Sequence, residues 1–130
     1  MACGDNTIRA GLTPKFKDVQ ALGECLNFEP KRVDQVQLIA QQVDDCTNEY
    51  RPAGCAEFAV DVITVAVEER TEYPLPSKES GSILLVLSGE AIINGNRIRP
   101  GYVCFVPAMT SLKLTFILPE LVIYRAYCPS

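Results

Sequence analysis

Apolar positions crowd the second half of this chain and repeat there at strand spacing. Ile83 to Leu87 is apolar at every position and bounded by Gly81 and Gly89, which predicts a strand buried on both faces. A second apolar piece, Ala91 to Ile93, runs into Asn94-Gly95. That dipeptide predicts a hairpin, because both turn positions need positive φ. Arg99-Pro100-Gly101 marks another tight turn, and Tyr102 to Val106 the strand that follows it. Two turns so close together imply antiparallel sheet, not a βαβ unit. Upstream, Glu57 to Val67 carries Phe58, Val60 and Val62 on one face and Asp61 on the other. Glu68 to Ser82, with Pro74 and Pro76, is predicted to be a polar loop. Downstream, Leu112, Leu114 and Phe116 alternate with Ser111, Lys113 and Thr115, a half-buried strand. Leu121 to Tyr127 is the last, and its Arg125 is expected to snorkel to water or lie on the exposed face. Six or more strands at hairpin spacing predict an all-β fold, a small jelly-roll β-sandwich or barrel.

The first half is less regular. Val19, Leu22 and Leu26 stand at helical spacing with Asp18 as N-cap, predicting one short N-terminal helix within Lys17 to Asn27 that packs on the sheet. Gly23 weakens that helix by about 1 kcal/mol relative to alanine. Lys31-Arg32 reads as solvated surface. Val33, Val36, Ile39 and Val43 fit one helix face, yet Val36 to Ile39 fits a short edge strand equally well, and periodicity does not decide between them. Asp44 to Pro52 is polar and turn-rich, and reads as a connection.

At 130 residues the chain is one domain's worth, with 48% apolar residues and a net charge of −4. The charge argues against nucleic acid or an anionic membrane surface as partner. No run approaches the roughly 18 apolar residues of a bilayer span. Met1 to Asp5 is not a signal peptide, so a cytoplasmic protein with free thiols is expected from the six cysteines, and a disulfide framework is the less favoured reading. Cys104 lies within a strand and reads as a small buried apolar residue. There is no histidine. Its absence removes the commonest metal ligand and the commonest general base from this chain. Asp5 and Arg9 stand four apart, on one face of a strand or as i,i+4 helical partners. By composition alone they read as a solvated ion pair near a terminus.

Two motifs change the picture. Gly89…Pro100-Gly101 with Pro107 resembles the second motif of cupins, in which a metal-binding member would carry a histidine where this chain has Leu112. Neither Leu112 nor Ser111 suits a divalent metal. CGDNTIRAGLTPKFKDV (Cys3 to Val19) is far more specific. It resembles the D-N-x-x-R-A-G-L-T-P-K signature of type I mannose-6-phosphate isomerases, and YRPAGCAEF, SILLVLSGEA, GYVCFVPA and LVIYRAYC follow in the family's order.

The resemblance implies a C-terminal third of that family's protein: residues 1–16 as the edge of the catalytic cupin domain, 17–56 as helix and connecting segment, and 57–130 as a C-terminal cupin-like jelly roll. It favours an extended segment at Val36 to Ile39. It implies zinc in the full-length family, none expected on this chain, and a small-molecule sugar phosphate as substrate. The reaction implied is interconversion of mannose 6-phosphate and fructose 6-phosphate through a cis-enediol(ate). Arg9 matches the family's active-site arginine and Asp5 the motif's aspartate; the role of Lys15 stays open. The fragment alone is expected to be inactive. The competing expectation is a non-catalytic, metal-free cupin module that binds a sugar or a protein.

Overall fold

The structure is a computed structural model that describes residues 7–66, 71–117 and 120–129. The chain divides into two compact units, Met1–Gln37 and Leu38–Ser130.

In the first unit, α1 (Val19–Cys25) starts where expected, because the Asp18 side chain accepts from the Ala21 amide at 2.9 Å and satisfies a free helix donor. No residue of α1 is buried, and Val19 is 65% exposed. A second, four-residue helix, α2 (Val33–Val36), ends at Gln37 in extended backbone. Val36 is therefore helical and Gln37 to Ala40 form no regular element, so the extended segment favoured for Val36 to Ile39 is not formed as a strand; pairing begins at Gln41. Lys31 and Arg32 are exposed, and Arg32 pairs locally with Asp34 at 3.1 Å.

Among the described residues the second unit has ten strands, paired antiparallel. Asn94 at φ 49° and Gly95 at φ 79° close the tight turn between β6 (Ala91–Ile93) and β7 (Asn96–Ile98). The other strands are β1 (Gln41–Gln42), β2 (Thr47–Tyr50), β3 (Ala59–Ala66), β4 (Glu72–Leu75), β5 (Ser82–Ser88), β8 (Val103–Val106), β9 (Leu112–Phe116) and β10 (Glu120–Tyr127). They form a six-stranded sheet in the order β1-β2-β3-β10-β5-β8 and a four-stranded sheet in the order β4-β9-β6-β7. The last eight strands wind as a jelly roll, with the core (Ile63, Leu84, Ile98, Leu114 and Ile123 among others) shared by the two sheets.

Two of these strands lie where loops were expected. β2 falls inside the polar stretch Asp44 to Pro52, its Thr47 side chain buried and its backbone paired with β3. β4 contains Pro74, which is tolerated because β4 is an edge strand and proline cannot donate to a second ladder.

The facing of three strands corrects the sequence reading. β3 buries Ala59, Asp61, Ile63 and Val65, so the core face is the one carrying the carboxylate. β5 is buried on one face only: Leu84 and Val86 point inward, while Ile83, Leu85 and Leu87 are 40–57% exposed. Arg125 neither snorkels nor faces solvent; it is fully buried, on the same side of β10 as Leu121, Ile123 and Tyr127. Its partners explain how a guanidinium survives there.

Candidate functional site

Each unit holds one candidate polar site. In the first, Arg9 lies in irregular backbone ahead of α1, with a half-buried side chain and a carbonyl that accepts from the Asp18 amide at 2.8 Å. That bond ties the signature segment to the helix start, so the cap and the arginine are positioned together. The loop between them passes through Leu12 at φ 52°, and the Lys15 amide donates to Thr13 Oγ1 at 3.2 Å. The Lys15 side chain is exposed. Among the described residues the Arg9 guanidinium makes no ion pair. A planar cation with five donors can grip a phosphate or an enediolate oxygen pair bidentately. Asp5 lies outside the described residues, so the expected pairing with Arg9 is not placed.

The second place is a buried polar cluster in the jelly roll that sequence reasoning missed. Register builds it: Asp61 sits opposite Glu49 on β2 and opposite Arg125 on β10. Arg125 Nε donates to Ser82 Oγ at 2.9 Å and Nη1 to the Pro76 carbonyl at 2.6 Å. Lys78 Nζ lies 2.9 Å from an Asp61 oxygen and 3.8 Å from the centre of the Tyr127 ring. The Tyr127 hydroxyl donates toward Asp61 Oδ1 at 3.0 Å and shares a short contact with Glu49. Lys78 thus pairs with Asp61, whereas Arg125 makes no ion pair among the described residues: Ser82 and the Pro76 carbonyl take two of its donors, Nη2 is buried without a partner, and the Asp61 charge favours the guanidinium only through space. Burial lowers the Arg125 pKa, and the Asp61 charge works against that shift. Burial, followed by the Glu49 hydrogen bond, raises the Tyr127 phenol above its usual value. The signal was present in the parity of Leu121, Ile123, Arg125 and Tyr127, which share one face at period two. It was overridden by the usual preference of arginine for solvent.

Beside this cluster, β6, β7 and β8 border a cavity of about 400 Å³ lined mainly by Ile93, Ile98, Tyr102, Cys104 and Leu112, with Asn94, Asn96 and Thr110 as polar members. Cys104 is half-buried against the core, and burial raises its thiol pKa. Leu112, at the position where a metal-binding cupin would carry histidine, presents an apolar side chain to this cavity. The described residues do not fit a zinc ion: the sequence has no histidine, and among the described residues no three Cys, Asp or Glu side chains gather as a ligand set. Also among the described residues, no helix is long and apolar enough to cross a membrane.

No family model matches the chain. Individual proteins do. It is 41% identical over 122 residues to a probable mannose-6-phosphate isomerase of Echinococcus multilocularis, covering 83% of this chain and 28% of that protein. It is 38% identical over 136 residues to the mannose-6-phosphate isomerase of Mus musculus, covering 98% of this chain and 32% of that one. Among solved structures, a variant of phosphomannose isomerase from Salmonella typhimurium superposes with a TM-score of 0.76 at 26% identity, over 99% of this chain and 33% of that chain. A zinc-bound mannose 6-phosphate isomerase superposes with a TM-score of 0.71 at 25% identity, over 95% and 30%. The chain spans about a third of the length of the relatives it matches.

Proposed function

Since the chain belongs to the mannose-6-phosphate isomerase family as a partial-length member, we propose that it is the C-terminal segment of such an isomerase and lends Arg9 and Asp5 to an active site completed by the rest of the enzyme. The observation that carries this is the match over 98% of the chain to one relative and 99% to a solved structure, with the Asp5-to-Lys15 signature inside it. The enzyme would act on a sugar phosphate in the cytoplasm, moving a proton between C1 and C2 of mannose 6-phosphate and fructose 6-phosphate.

Such a transfer places negative charge on two adjacent oxygens, and a fixed cation near them lowers the barrier. Arg9 supplies that cation, stabilising the enediolate or holding the phosphate. Asp5 orients the guanidinium or takes part in proton or ring-opening chemistry. Residues 1–16 then form the edge of the catalytic domain, 17–56 the connection and 57–130 a C-terminal jelly roll. Among the described residues no zinc ligand set gathers, which supports reading the 130 residues alone as inactive.

Grafting the chain in place of the matching segment of the mouse relative tests this. The chimera should isomerise mannose 6-phosphate, and Arg9→Ala should lower kcat about 100-fold or more. Full turnover by the Arg9→Ala chimera would remove Arg9 from the mechanism. The second reading, a metal-free module that binds a sugar, rests on Asn94, Asn96 and Thr110 at the cavity beside β8, which could hydrogen-bond hydroxyls; mannose 6-phosphate giving neither heat nor thermal stabilisation with the chain alone would end it.

A further inference from the structure

We propose that the outward face of the six-stranded sheet is a docking surface, and that its occupant is the remainder of a full-length isomerase, the two-thirds of the relatives' length that this chain does not span. The proposal rests on the reading of the chain as a segment of that enzyme and names the surface that joins it to the rest.

The face is apolar in a way that solvated sheets are not. On β5, Ile83, Leu85 and Leu87 are 51%, 40% and 57% exposed; on β8, Val103 and Phe105 are 59% and 68% exposed; on β10, Tyr124 is 39% exposed. These three strands are adjacent, in the order β10-β5-β8, so the six side chains form one continuous patch. β3 extends it on the far side of β10 with valines, Thr64 and Ala66 at its outward positions. Over the four strands, Glu120 at the start of β10 is the only charged residue on that face.

A strand facing water on one side normally alternates apolar with polar residues. β5 does not: both its faces are apolar, the pattern of a strand covered on both sides, and only one side is covered here. At a strand spacing of about 4.8 Å and a rise of about 3.3 Å per residue, four strands present on the order of 300 Å² in projection, a size that commonly marks an interaction site. β8 also ends the sheet without a lysine or an inward charge to discourage pairing, a protection that lone sheet edges ordinarily carry.

The occupant follows from length and charge. The mouse relative aligns with 98% of this chain, yet only 32% of that relative is accounted for. A face with almost no charge offers nothing to steer a charged ligand or nucleic acid. It fits a second uncharged surface, a sheet face or an apolar helix stripe, held permanently alongside by the same polypeptide.

Hydroxyl-radical footprinting of the intact 130-residue chain and of the mouse chimera, read by mass spectrometry at Leu85, Phe105 and Tyr124, tests the proposal. Labelling of these side chains should drop several-fold in the chimera. Phe105→Glu should destabilise the chimera while leaving the urea midpoint of the 130-residue chain unchanged; Val103→Lys provides a second such variant. An active chimera whose patch labels as in the chain alone would overturn the docking surface and leave the isomerase reading intact. An inactive chimera with a protected patch would support the surface and count against Arg9 chemistry. Light scattering that finds the chain alone dimeric, with the patch already protected, would overturn the proposal in favour of a second copy.

Discussion

Asp61 and Arg125 stand directly opposite each other across the β3–β10 ladder, both on the core side and both essentially out of water. Lys78 meets Asp61 from the loop after β4, and Ser82 and the Pro76 carbonyl take two of the guanidinium's donors. The cluster therefore pins β2, β3, β5, β10 and that loop to one another, by hydrogen bonds that demand a single register. Arg125→Ala removes both of those hydrogen bonds, leaves Ser82 Oγ and the Pro76 carbonyl without a donor and empties a fully buried site, so it is expected to destabilise the jelly roll by about 2–4 kcal/mol in urea unfolding. Ser82→Ala should cost about 1–3 kcal/mol, and less once Arg125 has been changed to Met, since the two act on the same bond. Strictly additive losses would show that the pair is not coupled.

The Tyr73 hydroxyl donates to Asp44 Oδ2 at 2.8 Å and therefore accepts from Thr47 Oγ1 at 2.7 Å. Burial, with the neighbouring Asp44 charge, pushes the phenol up to about 12. Between its ordinary value of 10.0 and about 12, the unfolded chain has lost this proton and the folded chain retains it. Stability contributed by Tyr73 is thus complete below the lower value and lost as pH rises through the upper one. Tyr73→Phe should flatten this part of the alkaline decline in stability. A variant with the same slope as the parent across that window would contradict the assignment.

Asp44 shifts the other way. Burial opposes its ionised form, yet hydrogen bonds from the Cys46 amide, the Tyr73 hydroxyl and Thr47 hold the carboxyl below its usual 3.8. The unfolded carboxyl takes up its proton first as pH falls. Its contribution is present above 3.8 and disappears as pH drops through the lower folded value. Asp44→Asn should show a shallower acid transition in circular dichroism than the parent.

Gly89, at φ +80°, carries the chain past β10 so closely that a Cβ there would lie 1.9 Å from the Glu120 carbonyl oxygen. The crowding falls beside the register shift at Val122/Ile123, where β5 and β10 come out of step. Gly89→Ala combines a left-handed backbone with a backbone clash, and should cost roughly 2–4 kcal/mol in thermal or urea unfolding. Gly95→Ala is the control: it shares a positive φ of 79° but meets nothing within 4 Å, so its loss should be smaller.

Thiol chemistry reports on the cavity. Cys25 and Cys128 are exposed, whereas Cys104 is half-buried and its thiol is raised by burial. Iodoacetamide at mildly alkaline pH should modify Cys25 and Cys128 well before Cys104, as read by peptide mass spectrometry. A ligand filling the space beside β8 would slow Cys104 further.

What could be read from residue order was local. Asn94-Gly95 demanded a hairpin, Asp18 capped the helix that follows it, and the predicted strand over Leu112, Leu114 and Phe116 formed as β9, with Leu114 buried and Lys113 exposed. The Asp5-to-Lys15 motif carried the family, and the matches bore it out. The strands missed were those whose stability comes from neighbours: β2 is polar but pairs on both sides, and β4 holds a proline that only an edge position permits. Which face of a strand is inside could not be settled from one strand either. Asp61 and Arg125 look like surface residues until the register brings them together with Lys78, because only a partner supplied by a distant segment makes buried charge tolerable. Backbone geometry and turn chemistry act over a few residues and are therefore written along the chain, whereas charge compensation acts across the gap between strands and exists only once the sheets have closed.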